Sequence, residues 1–292
     1  MTDHLRIEKR KNTVMTVFFY CIGGLLLVFL LVLVAYIVIK GFRGFNLSLF
    51  SFSDAGIGNQ FFNTIYLVVL SLIISVPLGA ATGIYMAEYA KQGRFTRFLE
   101  MSIETLSSLP SIVVGLFGYL VFILMTHSRW NLMAGALALF ILNLPLIAST
   151  AVDAFKALPE NLKEGSFAIG ATHWQTIYHV LLPAAATRIM TGVMLAAGRG
   201  FGEAAALLYT AGMSTDIDWT NWNLLSATCP LNPFRPGETL ALHIWGARTE
   251  ALAPNAAQIA DLSSAVLVIM IFSFSIVSEI INAGIRRKTG VK

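Results

Sequence analysis

Arg199 and Glu203 place charge in the stretch T-G-V-M-L-A-A-G-R-G-F-G-E-A-A-A-L-L, residues 191–208, between apolar residues on both sides. A spacing of four puts the two side chains on one face of a helix. At mid-bilayer depth each charge costs at least ~2.5 kcal/mol. Gly198, Gly200 and Gly202 lower helix propensity further, by about 1 kcal/mol each relative to alanine. One reading is an ion pair that neutralises itself within the helix. The other is a charged lining to a watery route, and the glycine content favours it. Arginine offers a fixed fork of donors suited to phosphate-like oxyanions. A neighbouring carboxylate repels a fully deprotonated anion but accepts a hydrogen bond from one that keeps a proton. Phosphate near neutral pH keeps a proton and sulfate does not, so the pair favours phosphate. Gly192, Ala196, Gly200 and Ala204 form a small-residue stripe, which lets a neighbouring helix approach closely.

The elements that must hold this pair are membrane spans. The chain has 292 residues, 56% hydrophobic and 12% charged, against about a quarter charged in soluble domains. A span needs about 20 mostly apolar residues. Six stretches qualify: 14–39, 64–86, 106–126, 132–152, 189–210 and 257–281. The expected fold is an all-α membrane protein of six transmembrane helices. Basic residues gather on one side of these spans: Arg6, Lys9, Arg10 and Lys11, then Lys91, Arg94 and Arg97, then Lys156, Lys163 and Arg188, and finally Arg286, Arg287, Lys288 and Lys292. The other side carries fewer, Lys40, Arg43, Arg129, Arg235 and Arg248. This bias places both termini in the cytoplasm. The first span reads as an anchor and not a cleaved signal peptide, because its apolar run is long and no small-x-small site follows. The net charge of +4 belongs to this bias and is no nucleic-acid footprint. Cys21 and Cys229 fall in different environments, so no disulfide is expected between them.

Between the fourth and fifth spans lies a hydrophilic insert, Glu164 to Pro183, read as E-G-S, Gly170 and V-L-L-P. Its spacing predicts two short helices. Pro159 suits a first helical position, and Gly170 suits a left-handed stop. Thr172 stands three residues before Gln175, a capping-box spacing. Pro183 ends or kinks the run. The charge bias puts this insert in the cytoplasm. On the other side, the loop 211–256 carries Trp219, Trp222 and Trp245. They read as headgroup-level anchors or as a platform for a soluble partner, with a helix expected over 238–252. Ser107, Ser108, Pro110 and Ser111 open the third span, and Asn143 and Pro145 lie within the fourth. Local repair of the helix backbone and lining of a path both remain open for them. Asp153, Asp261 and Glu279 read as solvated span ends, and the histidines as surface residues. No P-loop, G-x-S-x-G or H-E-x-x-H occurs, so ATP-driven work would need another chain to bind the nucleotide.

The spacing of Glu164, Gly170, Leu182 and Pro183 resembles the EAA loop of ABC-importer permeases, with Gly165 and Ser166 where the family has two alanines. The segments L-P-S-I-V-V-G-L-F-G (109–118) and G-R-G-F-G-E-A-A-A-L-L (198–208) resemble phosphate ABC-importer permeases. T-L-A-L-H-I-W (239–245) is similar to the PstA-type subunit. The resemblance implies a type I ABC-importer permease fold with a cytoplasmic coupling helix. Residues 1–60 would be an anchor and outer loop, 61–285 a five-helix permease domain and 286–292 a basic tail. It implies a docking role for Glu164, Gly165, Ser166, Gly170 and Pro183, and a phosphate-path role for Arg199 and Glu203. No cofactor is expected in this chain, since ATP and Mg would sit on a partner ATPase. The implied partners are a second, PstC-type permease, a PstB-type ATPase dimer and a PstS-type extracytoplasmic binding protein. All would meet in a bacterial or archaeal cell membrane. Another oxyanion (phosphonate, molybdate or sulfate), a channel and an intramembrane enzyme are the competing readings. A channel has no need of the docking insert, and an enzyme should show further paired catalytic groups.

Overall fold

The computed structural model describes residues 2–43, 47–53, 56–91, 93–250 and 255–289. The helices are α1 (Thr2–Phe42), α2 (Gly58–Tyr89), α3 (Arg94–Ser108), α4 (Ser111–Leu124), α5 (Leu132–Lys156), α6 (Asn161–Ala168), α7 (His173–Gly202), α8 (Ala205–Thr210), α9 (Leu240–Thr249) and α10 (Ala256–Thr289). Among the described residues there is no strand. Five helices, α1, α2, α5, α7 and α10, are long and apolar enough to cross a membrane, and α3 with α4 makes a sixth, broken span bent by 99°. The all-helical, six-span expectation therefore holds. The expected helix at 238–252 forms as α9, beginning at an N-cap on Thr239, whose hydroxyl accepts from the Leu242 amide; residues 251 and 252 lie outside the described residues, as do 290–292 of the basic tail.

Two expected spans are not the continuous helices their hydropathy suggests. The third stops at Ser108 and restarts at Ser111, because Leu109 and Pro110 are extended (ψ 133° and 136°). Proline biases the residue before it away from helical ψ. The fifth breaks at Glu203, also extended (φ −75°, ψ 124°). The second halves of these two spans, α4 and α8, pack together. A Cβ on Gly115 would lie 2.8 Å from Ala206 Cα, so only glycine permits this approach.

At the centre, α2 and α5 run together as a tight pair. A Cβ on Gly79 would meet Ile147 Cγ2 at 2.7 Å. Asn143 Nδ2 donates across the pair to Ser71 Oγ at 3.3 Å, so Asn143 bridges two helices and does not repair the turn opened by Pro145. Ser107 and Ser108, by contrast, do repair local backbone, donating to the carbonyls of Glu104 and Thr105. The expected small-residue stripe divides: Gly192 faces Thr150 of α5, Gly200 lies against Val68 of α2, and Ala204 falls beyond the break at Glu203. Helix α1 lies largely outside this body and meets α10 near Lys40 and Gly41. Asp261 is not a free, solvated span end: it pairs with both Arg248 and Lys40.

One end of the bundle carries the 211–239 loop, pinned by the polar first two turns of α2. Asn59, Gln60, Asn63 and Thr64 are all buried there. Trp219 Nε1 donates to Asn59 Oδ1 at 2.9 Å, and its ring sits edge-on to Phe52 and Phe62. The Leu240 amide donates to Thr64 Oγ1 at 2.9 Å. Arg235 is completely buried. Its guanidinium donates to Asn63 Oδ1 at 2.7 Å and to the carbonyls of Cys229, Pro230 and Pro236. Burial pushes its pKa down to about 10, which leaves it charged at neutral pH. Arg235→Ala strands these acceptors, and hydrogen bonds to a charged group contribute about 1.5–3 kcal/mol each. The expected result is a loop cut by protease at least tenfold faster than in the unaltered protein; unchanged cleavage kinetics would count against the pin.

Candidate functional site: a surface elbow and a broken charged span

The opposite end of the bundle carries an elbow built from α6 and the start of α7. The α6 helix begins at Asn161 with Glu160 as its N-cap, so Pro159 lies just before the helix and not at its first position. Gly170 has φ +84°, a left-handed conformation cheap only without a Cβ. It closes α6 through Gly170 N to Phe167 O (2.9 Å) and Ala171 N to Ser166 O (3.2 Å). The capping box is complete. Gln175 N donates to Thr172 Oγ1 at 3.3 Å, and Thr172 N donates to Gln175 Oε1 at 2.8 Å. A second link crosses the elbow, Ser166 Oγ to Thr176 Oγ1 at 2.9 Å.

Pro183 neither ends nor breaks α7. A π turn over Ile177–Leu181 precedes it, and the wider turn absorbs the missing donor and the ring. Ile177 and Leu181 are thereby driven into a core of Ala151, Ala154, Phe155, Ala185 and Ile189. The elbow's outer surface is exposed and apolar: Ile169 is 86% exposed, with Phe167, Trp174 and Tyr178 beside it. Glu164, Gly165 and Gly170 are exposed on the same unit, and nothing lies within 4 Å of a Cβ placed on Gly165. Ser166 is instead buried. The predicted docking residues thus divide: Glu164, Gly165 and Gly170 face outward, Ser166 holds the elbow together, and Pro183 shapes its exit into the bundle.

Sequence reasoning missed Glu88. It sits in the π-helical last turn of α2, and its side chain is 3% exposed. It reaches Lys163 Nζ of α6 at 2.7 Å and His173 Nε2 of α7 at 3.6 Å. Tyr89 stands edge-on to the His173 ring, so His173 is not a plain surface histidine. A carboxylate at a helix C-terminus runs against the dipole, which was the available signal.

In the second site the break at Glu203 changes the expected geometry. The chain leaves the helix at Gly202, so Arg199 and Glu203 do not share a continuous helical face. No ion pair joins them; Glu203 Oε1 instead accepts from the Ala206 amide at 3.2 Å, satisfying a donor at the start of α8. Arg199 is exposed on a strip with Thr191, Leu195 and Gly202. Among the described residues its side chain makes no hydrogen bond or ion pair. The self-neutralising reading is excluded by this arrangement.

A chain of spanning helices, two of them broken, joined to an exposed elbow, has the architecture of a membrane permease. Residues 79–291 match the family described as "Binding-protein-dependent transport system inner membrane component". The chain belongs to that family, the multi-pass cell-membrane permeases of ABC importers. It is 43% identical over 263 residues to the "Probable ABC transporter permease protein YqgI" of Bacillus subtilis (strain 168), covering 88% of this chain and 90% of that protein. It is 30% identical over 257 residues to the "Phosphate transport system permease protein PstA" of Mycobacterium leprae (strain TN), covering 81% of this chain and 82% of that protein. The fold is that of a solved bacterial alginate ABC transporter chain, with a TM-score of 0.62 at 14% identity over 86% of each chain. Type I importers of this fold work with a second permease, an ATPase and a binding protein.

The elbow's caps make a measurable contribution. Thr172→Ala removes the capping box, which costs about 1 kcal/mol, and Gly170→Ala forces a Cβ into a left-handed conformation at about 1–2 kcal/mol. Hydrogen exchange across 161–178 should quicken about fivefold in the first variant and more in the second. Exchange rates matching the unaltered protein would refute this account of the turn.

Proposed function

We propose that this chain is the membrane permease subunit of an ATP-driven importer for inorganic phosphate. The observation that carries the reading is Arg199, a charged side chain on a spanning helix, exposed and without a partner among the described residues. A bare guanidinium facing lipid is costly. The surface bearing it is therefore covered by a second permease or lines water between the two subunits. Arginine suits an oxyanion, and the likeness to the Mycobacterium leprae phosphate permease supports phosphate as that anion. Glu203 lies four residues on, across the break, where it holds the α8 backbone and selects for an anion that still carries a proton.

The elbow is the ATPase-docking element. Its apolar surface with Glu164, Gly165 and Gly170 faces the partner, while Ser166 and Pro183 keep its shape. The same end of the bundle carries Lys91, Arg94, Arg97, Lys156 and Lys163, which supports a cytoplasmic position for it and for both termini. Residues 61–285 form the transporting domain and 1–60 an added anchor. ATP and Mg bind the ATPase, a PstB-type dimer. Its closure draws on the elbow, and the bundle follows until the path opens outward. A PstS-type protein then delivers phosphate to a path shared with a PstC-type permease. Nucleotide and anion are coupled because each binds the two states differently.

Uptake of radiolabelled phosphate by the reconstituted complex tests this. Arg199→Ala should cut uptake at least tenfold while the subunits still co-purify, and a hundredfold excess of sulfate should leave uptake unchanged. Equal competition by sulfate would overturn the choice of anion. Glu164→Lys should reduce the co-purified ATPase at least fivefold; full retention would remove Glu164 from the docking surface.

A further inference from the structure

The elbow is tied to the bundle at more than its two chain connections. Through the backbone, α6 follows α5 and α7 runs on into the fifth span. Glu88 adds a third attachment, to α2, which neither end of the elbow adjoins in sequence. The feature is costly in isolation. A carboxylate in the last turn of a helix opposes the helix dipole, and a desolvated charge needs compensation. Both penalties are offset only while Lys163 and His173 stay in place. The turn that presents Glu88 is itself unusual, a π turn closed by Ala90 N to Tyr85 O at 2.8 Å. Such turns recur at functional positions. Beyond it, α2 is close-packed on α5 through Gly79 and Gly83, and its far end holds the 211–239 loop through Asn59, Asn63 and Thr64. One helix, continuous through Pro77, therefore joins the elbow at one end of the bundle to the loop at the other.

We propose that Glu88 is a positioning residue for energy coupling: its contacts with Lys163 and His173 pass movement of the elbow directly into α2, and so towards the opposite face. The proposal rests on the importer reading above and adds a transmission route to it. Beside Glu88, Ile84 and Ala87 of α2 pack in the elbow's apolar core and Tyr89 meets the His173 ring, and Glu88 is the charged fastening among these contacts. The Ser166–Thr176 link joins α6 to α7 and leaves α2 out.

Hydrogen exchange of the co-purified complex in lipid nanodiscs, with and without a non-hydrolysable ATP analogue, reads this without knowledge of the cargo. In the unaltered complex the nucleotide should change exchange both in α6 and in the last two turns of α2. In Glu88→Gln the response of α6 should persist, while that of α2 falls at least fivefold. The charge-swapped pair Glu88→Lys with Lys163→Glu should restore at least half of the α2 response, which a merely misfolded helix end would not do. An α2 response in Glu88→Gln equal to the unaltered one overturns the latch and leaves the importer reading standing, as does a swap that restores nothing. Failure of any ATPase to co-purify with the unaltered chain overturns the importer reading and the latch with it.

Discussion

Lipid offers no hydrogen-bond partner to a peptide group, and this constraint governs every departure from helix in the structure. Two spans stop part-way, and each stop leaves amides and carbonyls that water would otherwise satisfy. At Glu203 the carboxylate takes the amide of Ala206. At Pro110 a donor is missing from the outset, and the Pro110 carbonyl accepts from Val113 at 3.0 Å. The halves after the breaks then pack on one another through Gly115 and Ala206. Broken helices survive at membrane depth only where protein or a water-filled cavity surrounds them.

The polar groups of the remaining structure sort by the same rule. At the loop end Arg235 alone engages three backbone carbonyls and Asn63, while Gln60 Oε1 is buried without a partner among the described residues. Those at the elbow end are matched across helices, by Glu88 with Lys163 and His173 and by Ser166 with Thr176. Between these ends α2 and α5 carry glycine, alanine and a single Asn143–Ser71 bridge. A slender polar bridge in a small-residue seam gives close packing that is stiff along its length. The molecule is thus a rigid central pair with a polar fastening at either end.

Much of this was legible in the sequence. Hydropathy located the spans because length and apolarity alone decide that question. The elbow's turn was legible, since Gly170, Thr172 and Gln175 act over three or four residues and local rules suffice, whereas Pro159 lies before the helix it was expected to open and Pro183 does not end α7. The break at Glu203 was not recognised. An i, i+4 argument presumes an unbroken helix, and the apolar flanks of the charged pair concealed the interruption. Gly198, Gly200 and Gly202 were the signal, read as a weak helix when the chain leaves helix altogether just after the last of them. Asp261, Glu88 and Asn143 were misjudged or missed for a different reason. Their partners, Arg248, Lys163 and Ser71, come from other helices, and no local pattern encodes a pairing set by tertiary packing.

Arg199 shows where the single chain stops being a sufficient description. Three acidic groups have partners among the described residues: Glu88 has Lys163 and His173, Glu203 has the Ala206 amide, and Asp261 has Lys40 and Arg248. Arg199 has none among the described residues, although it stands on the same helix as the buried Ala196, Ala197 and Gly200. A spanning helix that buries one face so completely while leaving an arginine bare on the other is shaped for contact on both. The buried face is filled by α2 and α5. On the bare face an arginine in the last turn of the helix is costly against lipid, so that face suits a hydrated or anionic contact.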